Sequence, residues 1–277
     1  MAENMATASY EKKIKTIRRK RDEETASDPL HWLNLAGLFW LEEGDNTFGN
    51  AENNKIILLA LPQPHCGIFH LSNELVTLQP AEGVNIMLNG ETAKLRPLRT
   101  DRDKAPDLME IGPLTMKIII RGEATLLRAW DKESPVGKNF KGFKYYPIKP
   151  EYCITAKYIP YDPPKPAKTI DIIGTEADGV FLGQAQFSWN GINCTLEAEK
   201  SGDKLLFHFD DKTKEDTTYG GGRNFTVPMP QNQEVILDFN LTKNWPCAYT
   251  PYATCPVTPM ENRLSIRIEA GEKKYFE

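Results

Sequence analysis

Short runs of β-branched and aromatic residues, each ended by a turn signal, recur along most of this chain. Asn89-Gly90 and Asn190-Gly191 are strong signals for two-residue hairpins, and Gly122 separates the runs Leu114–Arg121 and Thr125–Asp131. The chain also spreads 19 glycines and 20 prolines over 277 residues, which favours short strands over long helices. The sequence therefore predicts a mainly β protein.

The strand runs fall into two blocks. Residues 40–131 are predicted to form an antiparallel β-sandwich. Residues 132–277 hold about eight further strand runs, which suit a β-barrel or a strongly curved antiparallel sheet. The last of these runs is Leu264–Ile268, and the proline-rich stretch Tyr161–Pro166 must be an extended loop. These blocks follow an N-terminal helical segment at 1–39, so the chain is expected to have three parts.

The N-terminal segment is predicted to contain one amphipathic helix at residues 8–24. Tyr10, Ile14 and Ile17 fall on one face at helical spacing, and lysines and arginines crowd the rest. Acidic residues lie close by, so we expect the basic residues to form a solvated face and not a nucleic-acid arm. Ser27-Asp28-Pro29 either ends this helix or caps a short second helix over Leu30–Leu38.

Charge and composition limit the partners of the chain. A net charge of −4 offers no overall attraction for nucleic acid or an anionic membrane, so neither is expected as a partner. The sequence has no apolar run of signal-peptide or membrane-spanning length, which predicts a cytoplasmic location. In that compartment we expect free thiols at the five cysteines, which are Cys66, Cys153, Cys194, Cys247 and Cys255.

The strongest candidate for a functional segment is Asn244–Pro256. It has too many prolines for regular structure and too many tyrosines and cysteines for an ordinary solvated loop. Irregular segments held in place by their side chains are where sites are often built. Cys247 and Cys255 could be metal ligands, a nucleophile with its partner, or buried apolar groups. Their eight-residue separation and the absence of a nearby histidine favour buried thiols, and no metal site is predicted.

A second candidate is the glycine-rich stretch Thr217–Phe225. Its three consecutive glycines would expose backbone N–H groups next to Arg223, which suits an anion, although a flexible hairpin loop explains the stretch equally well. It lacks the phosphate-loop pattern of nucleotide-binding proteins, and no cofactor is expected. Arg263 and Arg267 would share a strand face and could join Arg223 around a carboxylate or phosphate, although surface salt bridges would give the same pattern.

Three classes of function are compatible with these residues. The preferred one is binding of a small, possibly anionic molecule in the C-terminal β domain. The candidate ligand-binding residues are Tyr219, Arg223, Asp238, Asn240, Tyr249, Tyr252, Asn262 and Arg267. A cofactor-independent hydrolase or lyase at the same pocket is the first alternative, using Asp238, Arg223 and a tyrosine. A protein-interaction module built on the N-terminal sandwich is the second. Whether the chain is an enzyme is left open.

The C-terminal motif resembles a known family. Asp238-Phe-Asn, Asn244 to Pro256, Glu261-Asn-Arg-Leu264 and Glu269-Ala-Gly-Glu272 together look like the signature of the family called domain of unknown function 1684. Three further stretches fit the same family, and they are Trp32–Leu41 with Phe48-Gly49, Arg128–Pro135 and Thr218–Arg223. The resemblance runs from about residue 10 to the end. It implies membership of a family of unknown function and no particular activity.

A second resemblance concerns the first β block. Gly44–Gly49, Asn54–Leu58 and Val84–Gly90 look like the frame of forkhead-associated sandwiches, which bind phosphothreonine through an arginine after a glycine and a later Ser-x-x-His. Here Asn50 follows Gly49, and the corresponding stretch has no Ser-x-x-His. The resemblance implies a shared frame, and the missing residues speak against phosphopeptide binding.

Overall fold

A computed structural model describes residues 2–276, in which strands predominate as the sequence predicts. The chain divides into two compact units, Met1–Thr25 with Lys141–Glu277 and Ala26–Phe140. Besides the strands it contains helix α1 (Ala2–Ser27), the short helix α2 (Pro135–Lys138) and six 3-10 turns at Trp32–Asn34, Pro150–Tyr152, Lys212–Glu215, Phe239–Leu241, Pro246–Ala248 and Met260–Asn262. The predicted division into 1–39, 40–131 and 132–277 concerns independent folding and stays a prediction.

The unit Ala26–Phe140 is a β-sandwich, which confirms the prediction for this block. Its sheets have the orders β1-β11-β10-β9-β6-β7 and β3-β2-β4-β5-β8, with β2 and β3 parallel and the other pairs antiparallel. The two sheets enclose one apolar core. The strands are β1 (Leu35–Trp40), β2 (Gly44–Gly49), β3 (Ile56–Ile57), β4 (Gly67–Ser72), β5 (Leu75–Pro80), β6 (Met87–Leu88), β7 (Glu91–Thr92), β8 (Arg96–Pro97), β9 (Met109–Ile111), β10 (Leu114–Arg121) and β11 (Ala124–Asp131).

The two predicted Asn-Gly turns are confirmed. Asn89 and Gly90 have φ angles of +51° and +85°, and Asn190 and Gly191 have φ angles of +48° and +80°. Two successive positive φ angles match the right-handed twist of the strands that the turn joins. Of the two alternatives for Ser27-Asp28-Pro29, the first is confirmed, because α1 ends at Ser27. The alternative of a second helix over Leu30–Leu38 is wrong, because this stretch forms the 3-10 turn Trp32–Asn34 before β1 begins at Leu35.

The second unit is built on a single antiparallel sheet of seven strands in the order β17-β12-β13-β14-β15-β16-β18. The strands are β12 (Cys153–Ile170), β13 (Glu176–Trp189), β14 (Ile192–Ser201), β15 (Lys204–Phe209), β16 (Arg223–Pro228), β17 (Glu234–Asp238) and β18 (Lys243–Asn244). The two end strands, β17 and β18, are joined by the 3-10 turn Phe239–Leu241, so the sheet must curve around its core of phenylalanines. Within residues 2–276 no pairing closes the sheet, so the barrel alternative is wrong and the curved sheet holds.

Two details of this sheet differ from or refine the prediction. Leu264–Ile268 is not a strand, because its backbone bonds to the irregular segment after β15, with Leu264 N donating to Asp210 O at 2.8 Å. Its alternating apolar residues are nevertheless buried in the core. The prolines of Tyr161–Pro166 lie within β12, but the pairing with β13 is interrupted between Pro160 and Lys165.

Helix α1 belongs to the C-terminal unit. Its Ile14 is completely buried, and the Tyr10 hydroxyl donates to Asp238 Oδ1 at 2.8 Å. The Arg18 guanidinium donates to the backbone carbonyls of Tyr146 and Asn240 at 2.9 and 3.0 Å. Tyr10 and Ile14 of the apolar stripe therefore face the sheet unit, whereas Ile17 is 40% exposed, and Arg18 of the basic face also contacts the sheet unit.

No helix within residues 2–276 combines the length and the apolar character needed to cross a bilayer.

Candidate functional site

A pocket in the C-terminal unit lies where the glycine-rich stretch meets the Pro/Tyr/Cys-rich segment. Its volume is about 160 Å³. Tyr219, Gly220 and Gly221 line it from the glycine stretch, and Cys247 and residues 256–258 line it from the other segment. The two stretches that the sequence singled out are thus brought together, although they belong to different loops.

Three charged side chains complete the wall of this pocket. Lys214 Nζ lies 2.7 Å from Asp210 Oδ2, and Arg263 Nε lies 3.8 Å from the same oxygen. Two cations therefore share one carboxylate, which leaves a net positive charge of about one at the pocket. Asp210 is almost fully buried, whereas Lys214 and Arg263 are 33% and 46% exposed.

The glycine stretch is held closely against the pocket wall. Gly222 has a φ angle of +84°, and a Cβ there would lie 2.4 Å from Thr258 Oγ1 and 2.7 Å from the backbone oxygen of Phe209. Both the backbone conformation and the close approach require glycine. The Thr258 hydroxyl donates to Gly221 O at 3.2 Å, so the stretch is fixed and does not behave as a free hairpin loop.

Cys247 is the most reactive type of group on the pocket wall. It is half-buried, and its backbone N–H donates to the sulfur of Cys255 at 3.2 Å. Hydrogen bonds to its thiolate from Cys255 and Tyr219 hold the pKa of Cys247 below its ordinary value, although burial opposes them. Burial and the bond to Cys247 raise the pKa of Tyr219, whose phenol therefore stays protonated and can donate.

His208 lies beneath the pocket and is fully buried. Its Nε2 is 2.8 Å from Thr258 Oγ1 and 3.4 Å from Gly221 O, a pattern that favours the tautomer with the proton on Nε2. Burial lowers the pKa of His208 to about 4, so the ring is neutral at neutral pH. Its Nδ1 is buried and has no hydrogen-bond partner among the described residues. A neutral ring cannot stabilise a thiolate at Cys247 by charge.

Of the eight residues predicted from the sequence, only Tyr219 lines this pocket. Arg223 is instead 2% exposed and pairs with Asp211 at 2.6 Å. Its guanidinium also donates to the backbone carbonyls of Ile268 and Ala270. These bonds use the donors that an anion would need, so Arg223 anchors the chain within the core.

Asp238 and Asn240 are also occupied within the protein. Asp238 Oδ1 accepts from Tyr10 Oη and from the backbone N of Asn240. The amide of Asn240 donates to Tyr10 Oη and Lys149 O and accepts from Lys149 N. This pair holds helix α1 and the segment before β12 on the sheet.

Tyr249 and Asn262 have comparable internal roles. The Tyr249 hydroxyl donates to the buried carboxylate of Glu272. The Asn262 amide donates to Glu197 O at 3.0 Å and to His208 O at 2.8 Å, while its oxygen accepts from Glu197 N at 2.6 Å. Fully buried amides with all bonds satisfied fix backbone segments and are not open to a ligand.

The remaining two predicted residues lie away from the pocket lining. Arg267 is 40% exposed and pairs with Asp216 and Glu269, which is the surface salt-bridge alternative raised by the sequence. Tyr252 is partly exposed, and its backbone N–H donates to Thr250 Oγ1 at 3.2 Å. It does not line the pocket.

Sequence reasoning missed most of the groups that do line the pocket. Arg263 and Cys247 do carry a signal, because both lie in the family-like motif. Asp210, Lys214 and Thr258 carry no signal of their own, since each reaches the pocket only through the folding of its loop. No group of three or more His, Cys, Asp or Glu side chains in residues 2–276 is arranged to hold a metal ion.

Comparison with known proteins places this part of the chain in a family. Residues 138–273 match the family described as Protein of unknown function (DUF1684). The chain belongs to this family. The match covers about half of the chain, so the expected near full-length extent is wrong, and the residues before 138 lie outside the matched region. All pocket-lining residues fall inside it.

The other comparisons add no function. No curated protein matches the chain. Among solved structures, the chain is similar to an uncharacterised protein of Haloarcula marismortui that was determined by NMR in solution. The two are 25% identical, the match covers 51% of this chain and 81% of that one, and the TM-score is 0.43.

Proposed function

We propose that the C-terminal unit binds a small anion in the pocket between the glycine stretch and the Cys247 segment. The observation that carries this proposal is the convergence of Lys214 and Arg263 on one cavity, in which Asp210 is the only carboxylate among the described lining residues. An anion entering the pocket would balance the excess positive charge by contacting Arg263, while Lys214 keeps its bond to the buried carboxylate of Asp210.

Neighbouring groups suit the same ligand. The Gly220-Gly221 backbone can approach a ligand closely because it carries no side chains. At about 160 Å³ the cavity is smaller than the roughly 300–1,000 Å³ of pockets for drug-sized ligands. The ligand class is therefore a carboxylate or phosphate with few other atoms.

The test is a thermal-shift and calorimetric titration of the whole chain with inorganic phosphate, sulfate and short dicarboxylates. A ligand at 100 times its Kd should stabilise the fold by about 2.7 kcal/mol. Arg263→Gln should reduce that stabilisation, while the free protein keeps its melting temperature. Binding should weaken with salt, because part of the attraction is electrostatic.

Arg267→Gln is the matched control. It removes a similarly exposed arginine, 40% against 46%, that pairs with carboxylates outside the pocket lining. Equal loss of binding in both variants would show non-specific attraction, and loss in Arg267→Gln alone would place the site elsewhere. Failure of every anion to stabilise the protein would contradict the proposal.

The two alternative functions stay predictions. The hydrolase or lyase alternative relied on Asp238, Arg223 and a tyrosine around one pocket, and the first two side chains have internal partners. The interaction-module alternative concerns the N-terminal sandwich, which lies outside the matched family region.

A further inference from the structure

We propose that Cys247 is a site of reversible oxidation by hydroperoxides, and that Cys255 resolves the oxidised sulfur into an intramolecular disulfide. This goes beyond anion binding and does not depend on it, since it requires only that a small peroxide reaches the Cys247 sulfur. Three features of the structure support the proposal, namely access, proximity of the second thiol and a local environment that favours the thiolate.

Access is given by the position of Cys247 on the pocket wall. Its side chain is half-buried and lines the cavity, which has ample room for a peroxide of a few atoms. Cys66 and Cys194 are buried in apolar cores, and neither lines this pocket. Cys153 is half-buried like Cys247 but does not line this pocket, so Cys247 is the thiol that faces the cavity.

Proximity is given by the path of the segment. The 3-10 turn Pro246–Ala248 directs the backbone N–H of Cys247 at the Cys255 sulfur, 3.2 Å away. Cys255 is 3% exposed, so a peroxide meets Cys247 first and Cys255 second. The backbone of Cys255 is itself fixed, because its carbonyl accepts from Ile172 N at 2.9 Å. This arrangement is that of an accessible thiol with a resolving partner beside it.

The thiolate is the reactive form of cysteine, and among Cys66, Cys153, Cys194 and Cys247 the surroundings favour it at Cys247. Hydrogen bonds from Cys255 and Tyr219 lower the pKa of Cys247. Burial instead raises the pKa of the other thiols, Cys66, Cys153 and Cys194. Oxidation by peroxide follows thiolate character and exposure, so both factors select Cys247.

The chemistry has two balanced steps. The Cys247 thiolate attacks one oxygen of the hydroperoxide, the O–O bond breaks, and an S–O bond forms to give a sulfenic acid while the alcohol or water leaves with a proton. The Cys255 sulfur then attacks the sulfenic sulfur, an S–S bond forms as the S–O bond breaks, and the hydroxide leaves as water with the proton of the Cys255 thiol. The two thiols are oxidised by two electrons in total, and the peroxide is reduced by two.

The experiment treats the whole chain with hydrogen peroxide, traps remaining thiols with an alkylating maleimide and identifies the products by mass spectrometry. Cys247 should be oxidised at least about tenfold faster than Cys66, Cys153 and Cys194 in the same sample, because its thiolate fraction is larger. The product should be a Cys247–Cys255 disulfide that dithiothreitol reverses. Tyr219→Phe should slow the oxidation, since it removes a hydrogen bond to the thiolate.

Two serine variants separate the steps. In Cys255→Ser the sulfenic acid at Cys247 should persist and react with dimedone, and in Cys247→Ser Cys255 should stay reduced. Cys194→Ser is the matched control and should oxidise as the wild type does. Oxidation of Cys247 at the rate of the other thiols, or its oxidation without a bond to Cys255 in the wild type, would overturn the proposal. Either result would leave phosphate binding untouched, so the two proposals fail separately.

Discussion

Arg223 Nη2 lies 2.6 Å from Asp211 Oδ2, and the two side chains are only 2% and 1% exposed. This ion pair joins β16 to the segment that follows β15, and the guanidinium also donates to carbonyls of the C-terminal stretch. An arginine beside a glycine-rich stretch has the sequence pattern of an anion site, and here it is a structural anchor.

Replacing Arg223 by alanine should destabilise the protein by about 3–5 kcal/mol, because the Asp211 carboxylate is left buried without its counter-charge. Urea unfolding followed by circular dichroism measures this change. Arg267→Ala is the control, since its exposed pairs with Asp216 and Glu269 should contribute less than about 1 kcal/mol. Similar losses for both variants would contradict the structural role of Arg223.

Helix α1 should depend on Arg21. Its Nη1 lies 2.7 Å from Glu272 Oε2, and the Glu272 side chain is 1% exposed. Arg21→Met should therefore cost about 3–5 kcal/mol and should speed hydrogen exchange along α1. Arg19→Met, on the same helix, removes only an exposed pair with Glu23 at 3.8 Å and should change stability by less than about 0.5 kcal/mol. Unchanged exchange in Arg21→Met would show that α1 is held by other contacts.

Acid should destabilise the C-terminal unit through His208. Its folded pKa of about 4 lies below the ordinary value of 6.5, so between these pH values the unfolded chain binds more protons than the folded one. The contribution of neutral His208 to the free energy of unfolding is fully present above pH 6.5 and is lost as the pH falls towards 4. Between pH 7.5 and 5 the loss from this group should be about 2 kcal/mol.

Urea unfolding of the wild type and of His208→Gln at both pH values tests this. The variant should be less stable at pH 7.5, because the packing beside Trp245 and the bond to Thr258 are disturbed. Its additional loss at pH 5 should be smaller than that of the wild type. An equal loss in both proteins would assign the acid sensitivity to other groups.

Gly222→Ala should distort the glycine stretch. A Cβ would lie 2.4 Å from Thr258 Oγ1, and the φ angle of +84° is strained for alanine, so we expect a cost above about 2 kcal/mol and weaker anion binding. Gly220→Ala is the control in the same stretch. Nothing lies within 4 Å of its Cβ position, and the change should stay within about 0.5 kcal/mol. Thermal unfolding compares the stability of the two variants, and phosphate titration of Gly222→Ala against the wild type measures the loss of binding.

Local features of the fold could be predicted because a few neighbouring residues determine them. Asn89-Gly90 and Asn190-Gly191 form their hairpin turns because asparagine and glycine tolerate positive φ angles. Alternating apolar residues likewise predicted the sandwich at 40–131. Leu264–Ile268 shows where this reasoning stops, since its apolar residues are buried as expected but the backbone has no neighbouring strand with which to form a ladder.

The sequence indicated which segments form the candidate site but not which of their side chains line the pocket. The proline, tyrosine and cysteine content of Asn244–Pro256 indicated the right segment, and the glycine stretch indicated its neighbour. Whether each polar side chain faces the pocket or the interior depends on partners far away in the chain. Asp238 bonds to Tyr10, which is 228 residues away, and Asn262 bonds to Glu197, which is 65 residues away.

The sequence by itself thus determined the strand-rich class, the turns and the family motif, because these depend on backbone preferences and alternation over a few residues. The tertiary structure alone decided that Arg223 is an anchor, that Tyr10 and Arg21 dock α1, and that Lys214 and Arg263 meet at Cys247. The physical reason is that a polar group is available to a ligand only when folding has not already satisfied it, and burial and pairing are properties of the whole fold.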